Sequence, residues 1–224
     1  EGDPHRGLPD AEAYAGRADL DLELFDPKQA HVSSESRRQT ASQLEERLRA
    51  LAPDLPIVSV ASSVSDGASQ SARVHTNGFE GERRGTSFSC SAMVTVLDED
   101  GKRPMGWDYT YRRHVDALDP VEQLARRAGE RARLQLGATR PATGKYKVVV
   151  ENRAVPRLLG AFLAPLSGPA LQQRRSLWEG RQGDQIASPL LTIYDDPHLI
   201  KGVGSSLWDG DGFATRRRPI IENG

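Results

Sequence analysis

The segment "TSFSCSAMVTVLDEDG", Thr86–Gly101, constrains this chain more than any other. Phe88, Cys90, Ala92, Val94 and Val96 fall on every second position, with Ser87, Ser89, Ser91, Met93 and Thr95 between them. Successive side chains of a strand point to opposite faces, so this pattern predicts an antiparallel strand with one face in the core. "DEDG" supplies a turn, and "MGWDYTYRRHV" returns with Trp107, Tyr109 and Tyr111 on one face. Upstream, "PIVSVASSVSDGAS" and "SARVHTNG" also read as strands, with Asn77–Gly78 as a turn signal. The expectation is a meander of about four strands.

Helices flank it. Ser33 to Ala52 carries Leu44, Leu48 and Leu51 at i, i+4 and i+7, with charged residues on the remaining surface and Pro53 as the stop. A second helix starts where Asp119 offers a cap, Pro120 suits the first turn and Glu122 completes a capping box. Val121, Ala125, Ala128 and Ala132 give it a face of small residues, and Gly137 suits its C-terminal end. Before both helices, "ADLDLELFDP" alternates acidic and apolar residues, as a short strand or a packed extended arm would.

"GATRPATG" is the turn-rich stretch at which the domain boundary is placed, giving a domain over 1–140 and the beginning of another over 141–224. Beyond it, "KYKVVVE" reads as a strand, and Glu151 or Asn152 opens a helix. Leu158, Leu159, Phe162, Leu163 and Leu166 form an apolar stripe that reads as buried, and Pro165 and Pro169 kink or end the helix. "PLLTIYDDP" and "ATRRRPIIENG" follow. The fold class is therefore α+β, a mixed or antiparallel sheet with helices followed by the start of a β-rich domain.

Composition narrows the function classes. The formal net charge of −1 gives no global attraction to nucleic acid or to an anionic membrane, so neither is expected as a partner. No stretch has the apolar length to cross a bilayer, and no signal peptide is visible. One cysteine cannot form an internal disulfide, which favours a reducing compartment, read as the cytoplasm. The chain starts at Glu1 and ends on "IIENG", a strand running into a turn, and so reads as a fragment.

Few residues advertise chemistry. His5, His31, His75, His114 and His198 are scattered, and Cys90 has no cysteine partner at metal spacing. Cys90 sits on the core side of its strand, where a thiol behaves as a small hydrophobe. Asp209 and Asp211 lack the further ligands of a calcium loop, and their Asp-Gly pairs read as turns. Asp195 and Asp196 are adjacent, so on a strand they face opposite ways, and "YDDPH" reads as an Asx-type turn. "VGSSLWDGDG" lacks the Gly-Lys-Ser/Thr ending of a phosphate loop. Arg216, Arg217 and Arg218 alternate faces along a strand, which suits a solvated edge or an interface better than one pocket.

Three segments in order, "TNGFEGERRGTSFSCSAMV", "ASPLLTIYDDPHLIKGVGS" and "WDGDGFATRRRPIIENG", with "LELFDP" upstream, resemble the TldD/PmbA metallopeptidase family, also called the modulator of DNA gyrase family. The similarity runs from about Asp19 onward. Members are longer and carry a further C-terminal half. In the family a TldD subunit pairs with a PmbA (TldE) paralogue, and TldD holds zinc through a His-Glu-x-x-x-His helix where this chain has "LLGAFLAPLSGP". Aligned on Leu158–Leu159, the first His falls on Gly160, the Glu on Ala161 and the second His on Pro165. None of the three can ligate zinc or act as a general base. The resemblance thus implies a PmbA/TldE-like, non-catalytic chain without a cofactor of its own. Zinc is expected only in a TldD-like partner, and peptide is the shared substrate. A homodimer, an active peptidase with displaced ligands and a DNA-associated modulator are the alternatives.

Overall fold

The structure, a computed structural model, describes residues 7–224. They divide into two compact units: the residues up to Thr139 together with Asp195–Arg218, and Arg140–Tyr194 together with Pro219–Gly224. Asp195–Arg218, which the sequence places in the second domain, thus packs within the first unit.

The first unit is a three-stranded antiparallel sheet, in the order β1 (Ile57–Val74), β2 (Glu80–Val96) and β3 (Met105–Arg112), with helices α1 (Ser34–Leu51) and α2 (Val121–Arg133) on one face. Three strands replace the expected four, because the first two predicted strands are one. Asp66–Gly67 lies within this continuous strand. Its backbone stays in the ladder opposite Phe88 and Ser87. The buried Asp66 carboxylate accepts hydrogen bonds from Arg37 and from Gln29 at 2.8 Å, so it is held without a turn. Asn77–Gly78 turns the chain as expected, with Gly78 at φ 96° and the Gly78 N–H on the His75 carbonyl at 3.1 Å.

The alternation in β2 matches its burial: Phe88, Cys90, Ala92, Val94 and Val96 are all buried. Desolvation pushes the Cys90 thiol pKa up, as an inert core position requires. On the opposite face of β3, Trp107, Tyr109 and Tyr111 are exposed, the first two stacked with ring centroids 5.4 Å apart.

Ser33 caps α1 through a reciprocal pair with Ser36, at 3.0 and 3.1 Å. Leu44 and Leu48 are buried, but Leu51 is half exposed, because it lies at the frayed end of the last turn. In α2 the small face holds: Ala125, Ala128, Gly129 and Ala132 are buried. The cap differs from the expectation. Pro120 takes the N-cap position and no side chain caps the helix. Asp119 is drawn instead into ion pairs with Arg127 and with Arg112 (3.1 Å), and accepts from the Thr110 hydroxyl at 3.2 Å. A charge-assisted partnership outbids a neutral backbone cap. Gly137 takes φ 68° in turns beyond the helix and does not form its immediate cap.

The close seat of α2 depends on Gly106. A Cβ there would lie 2.2 Å from the Ala128 carbonyl oxygen and 2.3 Å from the Ala132 nitrogen, both backbone atoms of α2. Beside this contact, the buried Asp108 accepts from Arg127 at 2.6 Å and from Arg131 at 2.7 Å. The two arginines stand one helical turn apart, so both reach the same carboxylate.

The predicted acidic-apolar arm is an extended, packed segment. Its Leu24 carbonyl accepts from the Thr86 N–H at 2.9 Å and its Leu22 side chain is buried. Asp26 closes it, accepting from the Val115 and Lys28 N–H groups at 2.9 and 3.0 Å.

In the second unit, "KYKVVVE" is not a strand. It has no ladder partner among the described residues, and Val148 and Val149 are exposed. β-Branched residues alone do not make a strand without a neighbour to bond. The helix that follows, α3 (Val155–Leu163), begins later than expected, after a turn at Glu151–Ala154, with Pro156 in its first turn. A 3₁₀ turn at Ala164–Leu166 ends it at Pro165, and a short α4 (Gly168–Gln172) follows. Two short strands, β4 (Ile193–Asp195) and β5 (Arg218–Ile221), form a second sheet.

Two outcomes are expected. Gly106→Ala forces backbone apart, and urea unfolding should report a loss of about 3 kcal/mol or more. For pH, the Arg127 hydrogen bond holds the Asp119 carboxyl below the usual carboxylate range, despite desolvation. Its contribution is fully present above the unfolded value near about 3.9 and is lost as pH falls through the lower folded value. Asp119→Asn should therefore cost about 1–2 kcal/mol at neutral pH and less in acid, read from urea midpoints along a pH series.

Candidate functional site

Two places carry the residues that the sequence singles out, one in each unit. In the second unit, α3 presents Gly160 and Ala161, and the following 3₁₀ turn presents Pro165. The helix is not buried as expected: no residue of α3 is buried and Leu158 is 58% exposed. The unit consists of short elements and offers no layer to cover the apolar stripe. What fixes the turn is local. Phe162 meets Trp178 edge to face at 5.2 Å, Trp178 Nε1 donates to the Phe162 carbonyl at 3.2 Å, and the Ser176 hydroxyl donates to the Pro165 carbonyl at 2.6 Å.

Packing does not demand glycine at 160. It lies inside a right-handed helix, and a Cβ there would meet nothing within 4 Å. A side chain could start there without a clash at its first carbon. The donor set therefore does not fit zinc for a chemical reason and not a steric one: hydrogen, methyl and pyrrolidine offer no lone pair to a metal. Among the described residues no three His, Cys, Asp or Glu side chains converge as a metal cluster.

Three of the histidines sit apart, each with its own partner. His75 Nδ1 lies 3.1 Å from the Tyr14 hydroxyl, His114 Nε2 lies 2.7 Å from the Glu23 carbonyl, and His198 Nε2 lies 3.2 Å from the Thr215 hydroxyl. His5 lies outside the described residues.

In the first unit, residues 195–218 fold over one end of the β1–β2 hairpin. Trp208 is the anchor. It is buried, edge-on to Phe79 at 5.1 Å, with the Arg83 guanidinium 3.5 Å from its ring centre. Gly81 gives it room, since a Cβ there would come within 2.9 Å of both rings. Arg83 also donates to the Trp208 carbonyl and, at 3.2 Å, to the Asp209 carbonyl. Desolvation, then repulsion from Arg73, lowers the Arg83 pKa.

The aspartates make turns. Asp209 Oδ1 accepts from the N–H groups of Asp211 at 2.9 Å and Phe213 at 3.0 Å, and Asp196 Oδ1 accepts from the His198 N–H at 3.1 Å. The three arginines separate as their spacing requires. Arg216 and Arg218 line a cleft of 740 Å³ together with Arg83, Ser206, Asp209 and Phe213. Arg217 is not in its lining and pairs with Asp196 at 3.3 Å. Arg218 pairs with Asp195 at 3.3 Å in an exposed contact. The Trp208–Phe79–Arg83 anchor that shapes this cleft was not read from the sequence, because Trp208 lies more than 120 positions from Phe79 and Arg83. The only local signal was a tryptophan directly before an Asp-Gly turn.

Comparison with known proteins gives the lineage. Residues 27–136 match the PmbA/TldA metallopeptidase central domain, and residues 143–224 match the PmbA/TldA metallopeptidase C-terminal domain. The chain belongs to this family. Metalloprotease PmbA of Escherichia coli O157:H7 is 29% identical over 99% of the chain and 48% of its own length. The crystal structure of a proposed modulator of DNA gyrase from Bacteroides thetaiotaomicron is 34% identical, with a TM-score of 0.90 over 100% of this chain and 51% of that one. TldE from Thermococcus kodakarensis shares the fold, at 20% identity and a TM-score of 0.73 over 97% of this chain and 48% of that one. The chain thus spans about half the length of the relatives it matches. No helix among the described residues is long and apolar enough to cross a membrane.

Proposed function

We propose that this chain is a PmbA/TldE-like, non-catalytic subunit of a cytoplasmic zinc metallopeptidase acting on peptides or unfolded proteins. The observation that carries the reading is the identity of Gly160, Ala161 and Pro165. In a family of metallopeptidases these positions correspond to the zinc-binding and general-base residues of the resemblance described above, and here they supply neither a ligand nor a base. The room at Gly160 supports it further, because the scaffold of the helix persists without the group that would give it a use in hydrolysis. In this reading a TldD-like partner brings zinc and performs the cleavage, and this chain completes the enclosure around the peptide. Arg216, Arg217 and Arg218 lie on an exposed segment suited to such an interface.

Purified chain is expected to retain no stoichiometric zinc after dialysis and to leave an unfolded peptide uncut. Co-expressed with a TldD-like subunit, it should co-purify with that subunit and give chelator-sensitive cleavage. One zinc retained per chain by elemental analysis, or chelator-sensitive cleavage by this chain alone, overturns the reading and favours an active enzyme with displaced ligands.

A further inference from the structure

The cleft beside Trp208 sets Arg216 and Arg218 apart from Arg217, a distinction the interface reading does not draw. Its apolar lining is Ala13, Ala15, Pro197, Ala214, Trp208 and Phe213, set among polar groups. Its charged residues are unequal in their engagement. Arg83 is consumed by the Trp208 ring and two backbone carbonyls. The Asp209 carboxylate is consumed by backbone N–H groups of its own turn. Arg218 and Asp195 satisfy each other only at 3.3 Å and in water, a pair that costs little to rearrange. Arg216 makes no hydrogen bond or ion pair with another described residue, and its side chain lies at the cleft wall. Arg216 and Arg218 stand two positions apart on an extended segment, so both project toward the cleft while Arg217 is held on the other side by Asp196.

We propose that this cleft binds an extended peptide segment carrying a carboxylate side chain, with Arg216 as the principal contact and Arg218 as the second. A guanidinium fork matches the two oxygens of a carboxylate, and the apolar residues of the lining suit the short aliphatic groups that flank it. The choice of a single carboxylate over a polyanion rests on the neighbouring charges. Asp195 and Asp209 stand at the same cleft, and they oppose the closely spaced phosphates of a nucleic acid while leaving room for one isolated negative group. The site lies wholly within the first unit and needs no catalytic partner, so its test is independent of the subunit reading.

The test is fluorescence anisotropy with the whole chain and two labelled decapeptides, one with a single glutamate among alanines and glycines, the other with a glutamine in its place. The glutamate peptide should bind at least about tenfold tighter, and the advantage should shrink with added salt. The double substitution Arg216→Gln, Arg218→Gln should abolish the difference. Arg217→Gln removes the same charge on the other side of the segment and should leave it intact. Should the glutamine pair unfold, Arg216→Lys with Arg218→Lys keeps the charge without the planar fork, and affinity should fall at least about threefold. Equal binding of the two peptides, no binding of either up to about millimolar concentration, or an equal loss in Arg217→Gln overturns the proposal. Tighter binding of a single-stranded oligonucleotide than of the glutamate peptide also overturns it, in favour of phosphate recognition.

Discussion

The first unit depends on a backbone-to-backbone approach. Because Gly106 has no side chain, α2 settles directly on β3, and Ala128 and Ala132 fill the contact with the least volume that still excludes water. Such proximity would strand polar groups if nothing answered them. Asp108, two residues along the same face of β3, is answered by Arg127 and Arg131, and Asp119 is answered by Arg127 from below. The small residues set the distance and the arginines set the register, so the helix has one seat on the sheet.

That seated sheet gives the hairpin of β1 and β2 a rigid base, and the hairpin's far end carries the 195–218 segment. The link is aromatic. Phe79 follows the turn at Asn77–Gly78, Gly81 clears the space and Trp208 fills it, with Arg83 covering the ring. A segment rich in glycine and aspartate would otherwise have little reason to hold one shape. Anchored at Trp208 and pinned by Asx turns at Asp196 and Asp209, it presents Arg216 and Arg218 to one side and Arg217 to the other. The helix at Gly160 belongs to a different regime. It is short, exposed and locally braced, and its interest lies in which side chains it lacks.

Strong local signals survived folding, and weak ones yielded to partners at a distance. The alternation through Phe88 to Val96, the Ser33-capped helix, the Asn77–Gly78 turn and the Asx turns near Pro197 and Gly210 were all legible, because each is settled by neighbours in sequence. The two strands expected on either side of Ala68–Ser71 run on as one, with Asp66 held within it by Arg37 and Gln29. Asp119 did not cap because Arg127 offered a charged partner. "KYKVVVE" did not pair because no strand lies beside it among the described residues. At the candidate site the vacant chemistry of Gly160, Ala161 and Pro165 was legible as residue identity alone, whereas the cleft was not, since it draws on residues from 13 to 218.

The sequence by itself determined which faces of the first unit's main strand and helices are apolar, that Asn77–Gly78 turns the chain and that Gly160, Ala161 and Pro165 carry no metal-binding side chain. Those properties reside in residue type and spacing, which folding does not change. The tertiary structure alone decided that two predicted strands are one, that α2 rides on Gly106 and that Arg216 and Arg218 share a cleft from which Arg217 is absent. Each of these depends on which distant group arrives to satisfy a carboxylate, fill a void or cover a ring, and a linear pattern does not encode that meeting.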